Sequence, residues 1–145
     1  MTGICLYSPT IEENFGSILR LAHNFNVDFV CTIKKRYKRQ KPDKTNATFN
    51  IPTFHFEDVN SFLLSCPENC VRIALEITDK SLDLETFSHP KHAVYIFGGE
   101  KPINRIPESL LNKCHATLKI KTNQCLNLAM CAGITLFHRN LTLKS

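Results

Sequence analysis

ICLYSPTIEENFGSILRLAHNFNVDFVCTI, residues 4–33, contains the strand–helix–strand unit on which the reading of the fold turns. Ile4 to Tyr7 and Asp28 to Ile33 are β-branched and aromatic runs, and between them Phe15 to Asn24 puts Ile18, Leu19 and Ala22 on one helical face. Two strands joined through a helix pair in parallel, because parallel neighbours need a crossover connection. Outward from this unit the pattern repeats. Val71 to Glu76, Ala93 to Phe97 and Thr117 to Ile120 read as further strands. Asp58 is placed to cap a helix over Val59 to Ser65, and Pro107 suits the first turn of one reaching Lys113. A last helix, about Leu126 to Asn140, is apolar nearly all round and is expected to be buried on more than one side. The expected fold class is α/β on a parallel sheet, in one continuous domain over residues 1–145, with no repeat or low-complexity linker.

Composition narrows the function. With 145 residues and 43% hydrophobic content, the chain can bury roughly 70% of its unfolded surface. No run of about 18 apolar residues exists, so neither a membrane span nor a signal peptide is expected and a cytoplasmic location is. Seven cysteines, an odd number scattered among apolar neighbours, suit reduced thiols rather than a disulfide framework. The formal net charge of +5 favours an anionic partner if the excess is clustered.

In parallel sheets ligands sit beyond the carboxyl ends of the strands, so the residues following each strand matter most. After the first strand, Arg20 follows Gly16 by four residues on the helix. Glycine leaves room for the guanidinium to reach the first turn, where amide donors and Asn14 would help it hold a phosphate or an oxyanion. After the fourth strand, Gly98-Gly99-Glu100 lets the backbone turn sharply and approach a ligand, with Glu100 at the rim; the spacing fits neither a dinucleotide nor a Walker loop. After the fifth, Asn123, Gln124 and Asn127 bring amides to the head of an apolar helix, where they need partners. Taken singly, the three also suit a surface arginine, a tight turn and a helix cap by Asn123 or Gln124.

In this order, Asn14-x-Gly16-x3-Arg20, then strand-Gly98-x-Glu100, then Leu126-Asn127, the segments resemble the three motifs of the SpoU/TrmH branch of the SPOUT RNA methyltransferases. The resemblance spans Ile4 to Arg139, and the length is similar to that of minimal members without an RNA-binding extension. It implies an α/β knot with a Rossmann-like N-terminal half and a deep C-terminal trefoil knot, a homodimer, S-adenosylmethionine as methyl donor, and methylation of a ribose 2′-hydroxyl in tRNA or rRNA. By position it implies cofactor contacts from Leu75, Gly98, Gly99, Leu118, Ile120, Cys125 and Leu126, and reaction-centre roles for Arg20, Asn14, Glu100 and Asn127. The segment Glu100 to Pro107 is two residues longer than the family pattern, Leu118-Lys119-Ile120 replaces the usual Ile-Pro-Met, and Cys125 stands where serine is common. These departures make a catalytically silent RNA-binding module the alternative.

Methyl transfer to an alcohol requires loss of the hydroxyl proton and stabilisation of the forming alkoxide. A guanidinium is a poor proton acceptor, so Arg20 is expected to act electrostatically, with the base left open among Glu100, a substrate phosphate and water. Lys34 to Lys44 carries seven cations in eleven residues with Tyr37 interleaved, and Lys34, Lys35, Arg36, Lys38, Arg39 and Lys41 are expected to bind RNA backbone. Cys66-x3-Cys70 with His89-x2-His92 fits no common zinc spacing and no metal is expected; nor is Cys125 expected to be a nucleophile, since no base is near it in sequence.

Overall fold

The computed structural model describes residues 1–35, 37 and 50–144. In chain order the elements are β1 (Thr2–Tyr7), α1 (Glu12–Asn24), β2 (Phe29–Ile33), β3 (Thr53–Phe56), α2 (Val59–Ser65), β4 (Val71–Leu75), β5 (Leu82–Asp83), β6 (Ala93–Phe97), α3 (Glu108–Leu111), β7 (Ala116–Lys119) and α4 (Leu128–Leu143). The strands form one sheet in the order β3-β2-β1-β6-β4-β7-β5, with every pairing parallel. The α/β reading therefore holds.

Strand alternation divides the core between the two faces of the sheet. Ile4, Leu6, Ile73, Tyr95, Phe97 and Leu118 point to one face and pack with Ile18 and Ala22 of α1 and with Ala132 and Leu136 of α4. Cys5, Tyr7, Ile33, Ala74, Val94 and Ile96 point to the other and meet Phe62 of α2 and Leu110 of α3. Helices α1 and α4 touch closely: a Cβ at Gly133 would lie 3.4 Å from Leu21 Cδ2. At the end of β4, Leu75 pairs with Phe97 on one side and Leu118 on the other, so the segments leaving β4, β6 and β7 emerge at one edge.

Several expectations are corrected. Strands β3 and β5 were not legible as apolar runs, because they are short, lie at the sheet's two outer positions and leave Phe54 52% and Leu82 54% exposed. Helix α1 starts at Glu12, before Phe15, and the helix after Pro107 is only four residues long. Helix α4 begins at Leu128, because Asn127 caps it, and runs on to Leu143. That helix is apolar all round, but Met130 and Phe137 are each 60% exposed, so one long face lacks the cover expected of it. Asp58 does cap α2, its carboxylate accepting from Ser61 N at 2.7 Å.

Candidate active site at the carboxyl edge

The chain runs outward from β1 to β2 and β3, then resumes on the opposite side with β4, and β6 fills the place between β4 and β1, which makes β1/β6 the switch point of the sheet. The loops leaving these two strands are in contact. A Cβ on Gly99 would strike the Ser8 carbonyl oxygen and the Asn104 side chain, so only glycine fits. Gly99 N donates to Asn104 O at 2.8 Å, and Ser8 Oγ donates to Asn104 Oδ1 at 3.3 Å. Ser8 itself turns at φ 47°, a left-handed conformation tolerated here by a serine. Gly98 is less confined, its missing Cβ lying 3.3 Å from Ile106 N.

These glycines aim Glu100 at the start of α1, which has no side-chain cap of its own. Glu100 Oε2 accepts from Thr10 N at 2.7 Å and Thr10 Oγ1 at 3.1 Å; Oε1 accepts from Ile11 N at 3.2 Å and Asn14 Nδ2 at 3.3 Å. A carboxylate at a helix N-terminus is favoured by the unpaired amides and the dipole. Burial works to raise the Glu100 pKa, but the donors from Thr10, its own backbone, Asn14 and Ile11 outweigh it and hold the group below its ordinary value.

Asn14 is buried, and its other end is also satisfied: Asn127 Nδ2 donates to Asn14 Oδ1 at 3.1 Å. Asn127 Oδ1 then accepts from Ala129 N at 2.9 Å and Met130 N at 3.3 Å, capping α4. Glu100, Asn14 and Asn127 thus form a continuous polar chain linking the β6 loop, the first turn of α1 and the head of α4. The capping amide is Asn127, not Asn123 or Gln124.

Arg20 is exposed and makes no hydrogen bond or ion pair among the described residues. It lies six residues beyond Asn14, or about 9 Å along the helix axis. A Cβ at Gly16, one turn before Arg20 on the same helix face, would meet nothing within 4 Å, so that face is open, but Arg20 lies about 120° round the axis from Asn14 and is not part of the polar chain.

On the neighbouring strands, Leu75 and Leu118 are buried and Ile120 packs against the same cluster, forming an apolar floor beside Gly98 and Gly99. Residues 121–126 connect β7 to α4. Their contacts among the described residues are an ion pair from Lys121 Nζ to Asp83 Oδ2 at 2.8 Å and a Thr122 Oγ1 to Gln124 O hydrogen bond at 2.7 Å, which leaves the backbone donors of this stretch open. Cys125 is exposed and Leu126 half-buried. Arg105 braces the edge, its Nη2 reaching Glu76 Oε1 at 3.3 Å.

Lys34 and Lys35 are exposed at the end of β2; Arg36, Lys38, Arg39 and Lys41 lie outside the described residues. All seven cysteines are free, and among the described residues no three metal-ligating side chains are grouped. The histidines of the zinc-like pattern have other partners: His89 bonds Tyr95 and His138, and His92 meets the N-terminus. No described helix is long and apolar enough to cross a membrane. A cavity of about 540 Å³ lined by Leu82, Asp83, Phe87 and Lys119, among others, lies at the β5/β7 edge and includes none of the expected site residues. Sequence reasoning missed the Thr10 and Ile11 amides that hold Glu100, the Asn104 brace and a stack of Tyr37 on Phe15, none of which has a local motif.

The sequence profile of the SpoU rRNA Methylase family matches residues 1–137. The chain belongs to that family. A search of curated protein sequences finds no match. Among solved structures, the SpoU-family chain is similar to an AdoMet-bound rRNA methyltransferase from Sinorhizobium meliloti, with a TM-score of 0.82 at 22% identity over 99% of this chain and 57% of that one. It is similar to a protein described under the 2-OH methylation of C/U34 on tRNA, with a TM-score of 0.81 at 22% identity over 99% of this chain and 97% of that one. A TrmH/SpoU tRNA modifying enzyme from A. aeolicus gives 0.82 at 14% identity over 99% and 75%. The SpoU-family chain spans little more than half the length of the S. meliloti enzyme. The likeness establishes a shared fold.

Proposed function

We propose that this SpoU-family protein transfers a methyl group from S-adenosylmethionine to a ribose 2′-hydroxyl of tRNA or rRNA, acting as a single methyltransferase domain in a homodimer. The observation that carries the reading is the joining of Asn14, Glu100 and Asn127 by hydrogen bonds beside an apolar edge formed by Leu75, Gly98 and Leu118. That edge fits the cofactor. An adenine needs an apolar slot with main-chain donors and acceptors, which the floor of Leu75, Leu118 and Ile120 and the open backbone of residues 121–126 supply. Gly98, Gly99, Cys125 and Leu126 would complete the contacts. When bound, the sulfonium donor supplies an electrophilic methyl group. Neighbours of known structure include AdoMet-bound enzymes, which supports this assignment.

Arg20, charged and uncommitted to another side chain among the described residues, would stabilise the forming alkoxide or the adjoining phosphate across the open face at Gly16. Glu100 has both oxygens occupied and is held as a carboxylate of lowered pKa, so it is a weak proton acceptor. We assign it to positioning the start of α1, leaving the base to a substrate phosphate or water. Asn14 and Asn127 orient the head of α4 against α1.

The dimer is supported by the uncovered face of α4, where Met130, Ile134 and Phe137 recur at helical spacing with exposures of 60%, 37% and 60%. The trefoil knot is supported by strand order: β7, late in the chain, lies between β4 and the β5 segment that follows β4 in sequence.

Incubating the protein with methyl-labelled S-adenosylmethionine and unmodified bulk RNA, followed by nucleoside mapping, tests the reading. Label in a 2′-O-methylnucleoside is expected; label confined to a base contradicts the ribose assignment. RNA binding without label or cofactor binding favours the silent module.

A further inference from the structure

Resting on the function proposed above, one feature beside the site extends it. Lys34, directly after β2, takes a left-handed turn at φ 73°, and its ammonium lies 5.4 Å from the ring centroid of Tyr7 at the end of β1. The turn is secured from below, since Thr32 Oγ1 donates to Lys35 O at 2.5 Å and lies 3.1 Å from His55 Nδ1. Two residues later the Tyr37 ring stacks on Phe15 in the first turn of α1, with centroids 4.3 Å apart and planes 11° from parallel. Phe15 adjoins Asn14, the central member of the polar chain. The start of the basic segment is therefore tied from β2, across β1, to the helix that bears Arg20.

We infer that Tyr37 is a positioning residue for RNA: its stack on Phe15 holds Lys34 and Lys35 beside the first turn of α1, so that RNA phosphates gripped by these two cations place the ribose against Arg20. The sequence puts cations on both sides of Tyr37, namely Lys34, Lys35 and Arg36 before it and Lys38 and Arg39 after it. Without the tie, those charges would still attract RNA but would not set its register on the site. The ring does the anchoring. The Tyr37 hydroxyl is buried with no hydrogen-bond partner among the described residues, while the ring faces meet Phe15 and the Lys35 ammonium, 5.7 Å from the centroid. Burial, followed by the Glu100 and Glu12 charges, pushes the phenol pKa up to about 12, so the group stays neutral beside the rim.

The test compares wild type, Tyr37→Leu and Tyr37→Phe in three measurements: filter binding of unmodified bulk tRNA and rRNA, KM and kcat for methyl transfer to the same RNA, and calorimetric affinity for S-adenosylmethionine. Tyr37→Leu is expected to raise both Kd and KM for RNA about tenfold, the scale of losing one aromatic pair. Cofactor affinity should be unchanged, and Tyr37→Phe should restore wild-type values. A wild-type Kd and KM in Tyr37→Leu, a Phe variant as defective as Leu, or a parallel loss of cofactor affinity would each overturn the inference. A wild-type protein that binds RNA without methylating it defeats the proposed function alone, and the Kd ratio then decides the role of Tyr37. A wild-type protein that binds no RNA overturns both.

Discussion

Asn127 shows how much one side chain can do at this rim: its oxygen caps α4 and its nitrogen holds Asn14. Asn127→Ala is expected to cost about 1 kcal/mol for the cap, and more because Asn14 loses a buried partner. Denaturant unfolding measures this, and an unchanged midpoint would show that the chain of amides carries no stability. Arg20 stands at the opposite extreme, with no structural bond to lose among the described residues. Arg20→Lys should therefore unfold like wild type and bind S-adenosylmethionine normally, yet lose roughly 100-fold in kcat, because a single ammonium cannot reproduce the guanidinium fork at a developing oxyanion. Near-normal turnover by that variant would remove Arg20 from the reaction centre. The segments of this rim stand out in the sequence by their places after the strands and by the resemblance of their order to the family's three motifs. What they bond to is not legible there. Two of the four donors to Glu100 are the backbone amides of Thr10 and Ile11, which any residue but proline would supply at those positions.

Among the elements, α4 is bound to the rest of the fold by a polar cluster on the face it turns to the loop before β6. His89 Nδ1 lies 2.6 Å from Tyr95 Oη, and His89 Nε2 lies 2.9 Å from His138 Nδ1. Arg139 donates to Pro90 O at 2.6 Å and Lys91 O at 2.8 Å. Burial first, then the neighbouring His138 and Arg139, lowers the His89 pKa to about 4. A histidine kept neutral in the fold but free to protonate when unfolded contributes stability that is full above about pH 6.5 and is lost as pH falls toward 4. The thermal unfolding midpoint should thus fall as pH drops across that window, and His89→Gln should flatten the dependence; an equal slope in the variant would place its origin elsewhere. Helix α4 was readable from its apolar composition and β1, β2, β4, β6 and β7 from their runs. The two outer strands escaped because β5 is a two-residue strand and the burial that marks a strand is incomplete at the sheet's edges.

For the whole molecule, the uncovered stripe on α4 and the charge at the rim make separate demands. Phe137→Glu should convert a dimer to monomers in light scattering, because a carboxylate cannot be buried against a second apolar face; a wild-type protein that is already monomeric would contradict the dimer. Charge reversal at Lys35, Arg36 and Arg39 should flatten the salt dependence of RNA binding by about one unit of slope per lost phosphate contact. An unchanged slope would take the run out of the interface. Strand order, knot and dimer are properties of chain path and assembly, and a local pattern of residues specifies them only through the company it keeps. The central claim, that the edge formed by Leu75, Gly98 and Leu118 holds the methyl donor beside Asn14 and Arg20, is tested most directly by calorimetric titration with S-adenosylmethionine. Saturable binding of one ligand per protomer that is abolished by Leu118→Glu, in a variant that stays folded by circular dichroism, is the expected result. No heat at millimolar ligand with the wild-type protein, or undiminished affinity in a folded variant, would contradict it.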